Sequence, residues 1–270
     1  PFGPFGYWCL TPFLRPDPFS KPHFTGGGMN ITICNLPLVR AVHVTAWILT
    51  VIGSIAIPGC ADQKRQAEGL VRVAAEHSDA GREADAIQCL DRAIALNPGL
   101  AEAFYLRGTC NTKRQQPRQA AEDLSAATRL KPGWDEAWCA LGIAQIASGE
   151  TLSGIASLTK ALQLNQRMRP AWSARARGYR ELHRSEDELN DLGELLRIEP
   201  TDIESLLRRG TLLAESDPGK ATEDLSRVIS LDRDNAAAWM QRGLCYSHIG
   251  DTDRALADLN LACRLGPDDF

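Results

Sequence analysis

Histidines and cysteines are the side chains of this chain best suited to acid–base, nucleophilic or metal chemistry. From residue 67 onward there are three histidines, His77, His183 and His248, and they lie far apart in the sequence. No HExxH, GxSxG or glycine-rich phosphate loop accompanies them. The sequence therefore predicts a protein that is not an enzyme, with no catalytic residues, no metal site and no cofactor.

Arginines form the second group with distinctive chemistry. Six of them surround one short segment, at Arg167, Arg169, Arg175, Arg177, Arg180 and Arg184. Acidic residues follow at once, at Glu186, Asp187, Glu188, Asp191 and Glu194. One interpretation is a solvated helix whose arginines pair with these acids. The other is a positive groove that holds an acidic, phosphorylated or polyanionic ligand, since guanidinium groups bind carboxylate and phosphate in a bidentate manner.

The eight cysteines do not form a metal-ligand or disulfide pattern. From residue 67 onward the cysteines are Cys89, Cys110, Cys139, Cys245 and Cys263, an odd number without a CxxC motif. Free cysteine is a common small apolar residue in helical cores, and we expect that role here. If pairs form in an oxidising compartment, the candidates are Cys110 with Cys139 and Cys245 with Cys263.

A fixed period positions all of these residues. A small residue recurs at steps of 34, 34, 34, 34 and 33 residues, at Ala74, Gly108, Gly142, Ala176, Gly210 and Gly243. A leucine keeps the same period, at Leu90, Leu124, Leu158, Leu192, Leu225 and Leu259. Such a period indicates stacked supersecondary units, numbered here one to six in this order.

Each unit has the pattern of a helical hairpin. The small residue suits the close crossing of two helices, and a second small residue opposes it in most units, at Ala86, Ala120, Gly154, Ala221 and Ala255. Unit four departs from this pattern with Glu188. The period predicts twelve helices from about Gln63 to Leu265, with no sheet.

Helix boundaries are marked by prolines and polar residues. Pro117 and Pro218 are expected to open second helices, where a missing N–H costs little. Asp217 and Asp251 are expected N-caps. Thr201 with Glu204, and Ser185 with Glu188, are expected to form capping boxes.

The pattern resembles the tetratricopeptide repeat over about 200 of the 270 residues. The clearest matches run from Ala103 to Pro132 and from Ala238 to Pro267. The resemblance implies an all-α, right-handed α-solenoid of about six hairpins that binds partners on a concave wall built by the first helices. The ligand-facing positions of such units are here Tyr105, Thr109, Lys113, Cys139, Ile143, Ser173, Arg177, Arg180, Leu207 and Thr211. We expect Tyr105, Thr109, Lys113, Ser173, Arg177 and Arg180 to contact the partner.

Net charge limits the kind of partner. The chain carries −4 at neutral pH, and a mild acidic excess does not favour nucleic-acid binding. The arginine segment favours an acidic protein or peptide instead.

Residues 1–28 differ in composition from the repeats. They hold six of the 15 prolines and five of the seven phenylalanines, a composition that excludes regular helix. The first methionine is Met29. We interpret residues 1–28 as a spurious extension before a start at Met29, or as the disordered leader of a longer protein.

Residues 29–59 are interpreted as an export signal. An apolar run from Ala41 to Pro58 ends at Gly59-Cys60, which is similar to the lipobox of bacterial lipoproteins and implies lipid attachment at Cys60. Two alternatives remain, an uncleaved membrane anchor and an ordinary signal cleaved after Ala61. Residues 60–66 are expected to be a short linker and residues 67–270 the solenoid.

Together these patterns predict a non-catalytic interaction scaffold, tethered at a membrane of the bacterial envelope. The alternative is a permanent accessory subunit of an envelope assembly or secretion complex. Partial exposure of Leu256, Leu261 and Leu265 in unit six is also expected, and it favours end-to-end self-association.

Overall fold

The computed structural model describes residues 58–266, and within that range it contains twelve α-helices and no strand. The helices are α1 (Pro58–Asp79), α2 (Glu83–Leu96), α3 (Ala101–Lys113), α4 (Pro117–Leu130), α5 (Asp135–Ala147), α6 (Thr151–Leu164), α7 (Arg169–Glu181), α8 (Ser185–Ile198), α9 (Ile203–Leu213), α10 (Pro218–Leu231), α11 (Ala236–Ile249) and α12 (Thr252–Leu265). Consecutive helices pack as hairpins, so units one to six are α1–α2 through α11–α12. The prediction of twelve helices in six hairpins is confirmed. The predicted leader (1–28) and most of the export signal (29–59) lie outside the described residues.

The small residues lie where the two helices of a hairpin cross closely. A Cβ atom added to Gly142 would lie 2.5 Å from Cγ of Leu158 and 2.8 Å from the carbonyl oxygen of Gly154. No larger side chain fits at this crossing without separating the helices. The repeated leucine fills the space beside it, and Leu90, Leu124, Leu158 and Leu225 are fully buried.

The expected linker at residues 60–66 is helical instead. It forms part of α1, which runs from Pro58 to Asp79, while residues 61–66 are all exposed. Gln63, Lys64, Arg65 and Gln66 are good helix formers. They extend the first helix beyond its first buried residue, Ala67.

The helix ends agree with the sequence only in part. Pro117 and Pro218 open α4 and α10, and the Asp217 and Asp251 carboxylates cap α10 and α12 as predicted. Both capping boxes are wrong. Ser185 is already the first residue of α8, and Asp202 rather than Thr201 caps α9, accepting a hydrogen bond of 3.1 Å from the backbone N–H of Ser205.

A repeated ion pair joins the two helices of four units, and the patterns above do not predict it. The arginine directly precedes the periodic small residue of the first helix, and the aspartate directly precedes the periodic leucine of the second helix. The four pairs are Arg107–Asp123, Arg175–Asp191, Arg209–Asp224 and Arg242–Asp258. The four aspartates are all buried. Units one and three have Val73 with Cys89 and Leu141 with Ser157 at the same positions.

The arginines of these pairs also bridge neighbouring units. Arg175 donates to the hydroxyl of Thr159 in unit three at 2.9 Å, and Arg242 donates to the hydroxyl of Ser226 in unit five at 3.0 Å. Each guanidinium also stacks on an aromatic ring of its own helix, at 4.8 Å from Trp172 and from Trp239 respectively. One side chain thus stabilises both a hairpin and the junction before it.

Candidate partner-binding site

The first helices of neighbouring units lie side by side, except at one junction. Cα atoms come within 8 Å of each other between α1 and α3, α3 and α5, α5 and α7, and α9 and α11. Between α7 and α9 no Cα atoms come this close. The row of first helices, which we call the first-helix face, is therefore widest at the junction of units four and five.

Glu188 occupies this junction. It stands in α8 at the position where the other five units have alanine or glycine, and its side chain is only 1% exposed. The carboxylate accepts hydrogen bonds from Nε of Arg180 in α7 at 2.8 Å, and from Nε and Nη2 of Arg208 in α9 at 2.7 and 2.9 Å. It therefore links the first helices of two units through their arginines.

The charge state of Glu188 follows from these contacts. Burial by itself would raise the pKa of this carboxyl group. The hydrogen bonds and positive charges of Arg208 and Arg180 outweigh burial, and the pKa of Glu188 lies below its usual range. The carboxylate is thus ionised at neutral pH, as a buried acid with two cationic partners should be.

A cleft opens beside this ion cluster, and we call it the α7–α9 cleft. Its walls are formed by Ser173, Ala176, Arg177 and Arg180 of α7, Leu192 and Leu195 of α8, and Glu204, Ser205 and Arg208 of α9. The enclosed cavity measures about 50 Å³, which is room for a few water molecules. A partner segment would therefore lie across the cleft rather than inside it.

The cleft offers mainly hydrogen-bond donors. Arg177 is exposed, and within residues 58–266 its guanidinium has no hydrogen-bond or ion-pair partner. Arg180 uses only Nε on Glu188, which leaves both terminal nitrogens available. Three guanidinium groups face two carboxylates, those of Glu188 and Glu204. The resulting excess of one positive charge suits an oxyanion.

Most of the predicted arginine cluster is ion-paired, as the first interpretation expected. Arg175 is bound to Asp191, Arg169 to Glu199 and Asp202, Arg180 to Glu188, and Arg184 to Asp187. Arg167 and Arg177 have no ion-pair partner in the described part of the chain. Of the predicted contact residues in unit four, Ser173, Arg177 and Arg180 all line the α7–α9 cleft.

The predicted contact residues of unit two are largely engaged within the array. The ring of Tyr105 packs on Trp134, with ring centroids 4.5 Å apart. The Thr109 hydroxyl donates to the carbonyl of Leu106 at 2.8 Å. Lys113 donates to the hydroxyl of Ser78 in unit one at 2.9 Å and pairs with Glu83 at 3.3 Å. These residues lie away from the α7–α9 cleft.

The other candidate chemistry has a structural explanation. The five cysteines from residue 67 onward are free, and Cys110, Cys139 and Cys245 are buried, which is the expected core role. Neither candidate disulfide is formed. Burial, followed by the nearby charges of Asp135 and Glu136, raises the pKa of Cys139 to about 11.

Residues 58–266 show neither a metal site nor a membrane-spanning helix. No group of three or more histidine, cysteine or acidic side chains there could hold a metal ion. No helix in the same range is long and apolar enough to cross a bilayer. Residues 41–57 of the apolar run and the side chain of Cys60 lie outside what the structure describes.

Known proteins share the repeat. The family model for the tetratricopeptide repeat matches residues 74–133 and 211–270, so these two segments are similar to tetratricopeptide repeats. DnaJ homolog subfamily C member 3 of Rattus norvegicus is 26% identical over 217 residues, which cover 73% of this chain and 43% of the relative. This chain thus spans less than half the length of that relative.

Solved structures share the fold. YrrB, described as a TPR protein with an unusual peptide-binding site, has a TM-score of 0.61 at 18% identity, covering 67% of this chain and 93% of YrrB. A tetratricopeptide repeat protein from Parabacteroides merdae has a TM-score of 0.58 at 16% identity, covering 75% of this chain and 86% of its own. At these identities the likeness shows the fold alone, which is an all-α helical repeat array.

Sequence reasoning missed two features of this site. It treated Glu188 as a departure from the small-residue pattern and as one of several acids near the arginines, whereas the structure makes it the centre of an ion cluster. It did not single out Arg208, which lies 20 residues later in the next unit. Two signals in the sequence could have indicated the pair. Glu188 is a charged residue at a position that is small in the other units, and Arg208 is an additional arginine on the next first helix.

Proposed function

We propose that this protein is a non-catalytic scaffold that binds an acidic segment of a partner protein across the α7–α9 cleft. The observation that carries the proposal is Arg177, an exposed guanidinium beside Arg180 and Arg208 on the widest part of the first-helix face. Arginines with unused donors attract carboxylate or phosphate groups of a partner. The helical repeat fold of this chain supports a protein or peptide as the ligand.

The test is affinity purification of the tagged full-length protein from its native cells, with substitution of one arginine. Arg177→Glu should abolish partner capture and leave helix content and thermal stability unchanged, because Arg177 makes no described intramolecular ion pair. Arg197→Glu is the matched control, since Arg197 is exposed on the second helix α8. Equal partner capture by wild type and Arg177→Glu would contradict the proposal.

Replacing Arg177 and Arg180 together is not a suitable test. Replacing both Arg177 and Arg180 by glutamate would remove one of the two guanidinium partners of the buried Glu188 and put a carboxylate in its place. Loss of binding could then result from unfolding, because a buried charge without its partner is strongly destabilising. Arg177 alone separates binding from stability.

A second candidate function is that of a permanent accessory subunit in an envelope assembly or secretion complex. Unit six favours it, because Leu244, Ile249 and Leu256 are 41%, 52% and 56% exposed and such residues are common at stable interfaces. Stoichiometric co-purification with a fixed set of proteins would support this function. Salt-sensitive capture of one partner supports the scaffold instead.

Tethering to a membrane of the bacterial envelope is part of the proposal. Its support is the apolar run from Ala41 to Pro58 followed by Gly59-Cys60. Cys60→Ser should leave an unprocessed precursor and abolish lipid labelling. Processing identical to wild type would favour cleavage after Ala61, and membrane retention without any cleavage would favour an uncleaved anchor.

A further inference from the structure

Glu188 carries a charged side chain at a position where the other five units have alanine or glycine. In other hairpins the second helix presents alanine or glycine to the first helix, and the contact is already tight. A Cβ atom on Gly108 would lie 3.2 Å from the carbonyl oxygen of Ala120. A glutamate side chain has no room in such a crossing. In unit four it extends out of the hairpin and ends between Arg180 and Arg208.

This placement accounts for the gap between α7 and α9. The Glu188 carboxylate and two guanidinium groups occupy the space where neighbouring first helices elsewhere approach each other directly. The cluster is rigid, because Arg208 binds both carboxylate oxygens in a bidentate manner. A carboxylate as buried as that of Glu188 would be strongly destabilising without these cationic partners.

The same contacts fix where the unused donors point. Nε of Arg180 is engaged by Glu188, while its terminal nitrogens have no described partner and remain available at the wall of the α7–α9 cleft. Arg208 keeps one terminal nitrogen, Nη1, without a described partner. Two arginines that would otherwise be mobile are therefore held at one place, which reduces the entropy lost when a ligand binds.

We propose that Glu188 is a positioning residue, which opens the junction of units four and five and holds Arg180 and Arg208 ready for one oxyanion of the partner. The oxyanion is a carboxylate or a phosphate ester on the partner segment, with Arg177 as the third donor. This inference rests on the proposed function and adds the residue that determines its specificity.

Binding of three labelled peptides to the full chain tests the proposal. Fluorescein-labelled peptides of equal length carry glutamates, phosphoserines or glutamines in a glycine-serine background, and binding is followed by fluorescence anisotropy at low salt. The wild type should bind one or both acidic peptides and not the glutamine peptide. Preference for glutamate assigns the site to a carboxylate, and preference for phosphoserine assigns it to a phosphate ester.

Three substitutions then separate positioning from folding. Glu188→Gln should weaken binding of the acidic peptide by about tenfold or more, because Arg180 and Arg208 are then no longer held in place and lose side-chain freedom when the peptide binds. Glu188→Asp keeps the charge and should retain most of the affinity. Arg197→Gln, on the outer side of α8, should bind like wild type.

The positioning role also predicts a change of structure. Glu188→Ala restores the residue type found in four other units, so its crystal structure should show α7 and α9 within 8 Å of each other, as at the other junctions. If this variant does not fold, Arg208→Gln decides, since it should lose the acidic peptide while Glu188 keeps Arg180 as a partner.

Several results would overturn the inference. These are equal peptide affinity of wild type and Glu188→Gln, an unchanged gap in Glu188→Ala, or no preference of the wild type for either acidic peptide. If Arg177→Glu loses the natural partner while Glu188→Gln keeps both partner and peptide, the proposed function stands and only the positioning role fails.

Discussion

At the residue scale, Glu188 shows how a charge is accommodated in a helical core. Its carboxylate is 1% exposed, yet it has three charge-assisted hydrogen bonds from two arginines. The sequence shows that a small residue is missing there. It cannot show the pairing, because Arg208 belongs to another unit and only the stacking of units brings it to Glu188.

The lowered pKa of Glu188 predicts a pH dependence of stability. Above the ordinary glutamate pKa of about 4.3 the group is ionised in both the folded and the unfolded state, and the ion cluster contributes fully. As the pH falls through the lower folded pKa, this contribution is lost. Glu188→Gln should therefore cost about 1–3 kcal/mol at pH 7.

Urea unfolding of both proteins between pH 7 and pH 3 measures this difference. The difference in free energy of unfolding should be constant at neutral pH and shrink below about pH 4. A difference that is unchanged in acid would mean that Glu188 is not ionised in the folded protein.

The cysteines give a second prediction at this scale. Because the pKa of Cys139 is raised to about 11, only about 0.1% of it is thiolate at pH 8 even where reagent can reach it. Iodoacetamide followed by peptide mapping should modify exposed Cys263 rapidly and leave Cys110, Cys139 and Cys245 unmodified in the native protein. Rapid modification of Cys139 would show that unit three opens locally.

At the scale of elements, the hairpins depend on leucine packing and on the repeated arginine–aspartate pair. Packing was predictable, since Gly142 opposite Gly154 and Leu158 follows directly from the period. The ion pairs were missed because Arg175 was considered only within a cluster of surface arginines. Comparing the residue before each small position would have shown an arginine in four units.

One pair can be tested with residues taken from the chain itself. Asp191→Ser leaves Arg175, whose side chain is only 14% exposed, without its ion partner, and should cost about 3–5 kcal/mol. Adding Arg175→Leu gives unit four the Leu141 and Ser157 combination of unit three, and should recover at least about 1 kcal/mol of this loss.

The control for this prediction is Asp187→Ser. Asp187 pairs with Arg184 on the surface, so its loss should cost no more than about 1 kcal/mol. Chemical denaturation of the three variants and the wild type provides the comparison. A double variant less stable than Asp191→Ser would mean that Arg175 stabilises chiefly through Trp172 and Thr159.

At the scale of the whole molecule, the repeat gives the architecture and leaves the partner open. The number of helices and their pairing followed from periodicity, because each unit repeats the same packing, whereas the expectation of a binding face built by first helices came from the resemblance to the repeat family. The widened junction did not follow, because it arises from the single position at which Glu188 breaks the period. The helical conformation of residues 60–66 did not follow either, since the exposed turns of α1 carry no apolar periodicity that would mark them as helix.

The most direct test of the scaffold is site-specific photo-crosslinking in native cells. A photoreactive phenylalanine analogue at Ser173 lies at the α7–α9 cleft, whereas the same group at exposed Lys160 lies on the second helix α6. We expect a partner adduct from Ser173, reduced by Arg177→Glu, and none from Lys160. Adducts from Lys160 with none from Ser173 would contradict binding on the first-helix face.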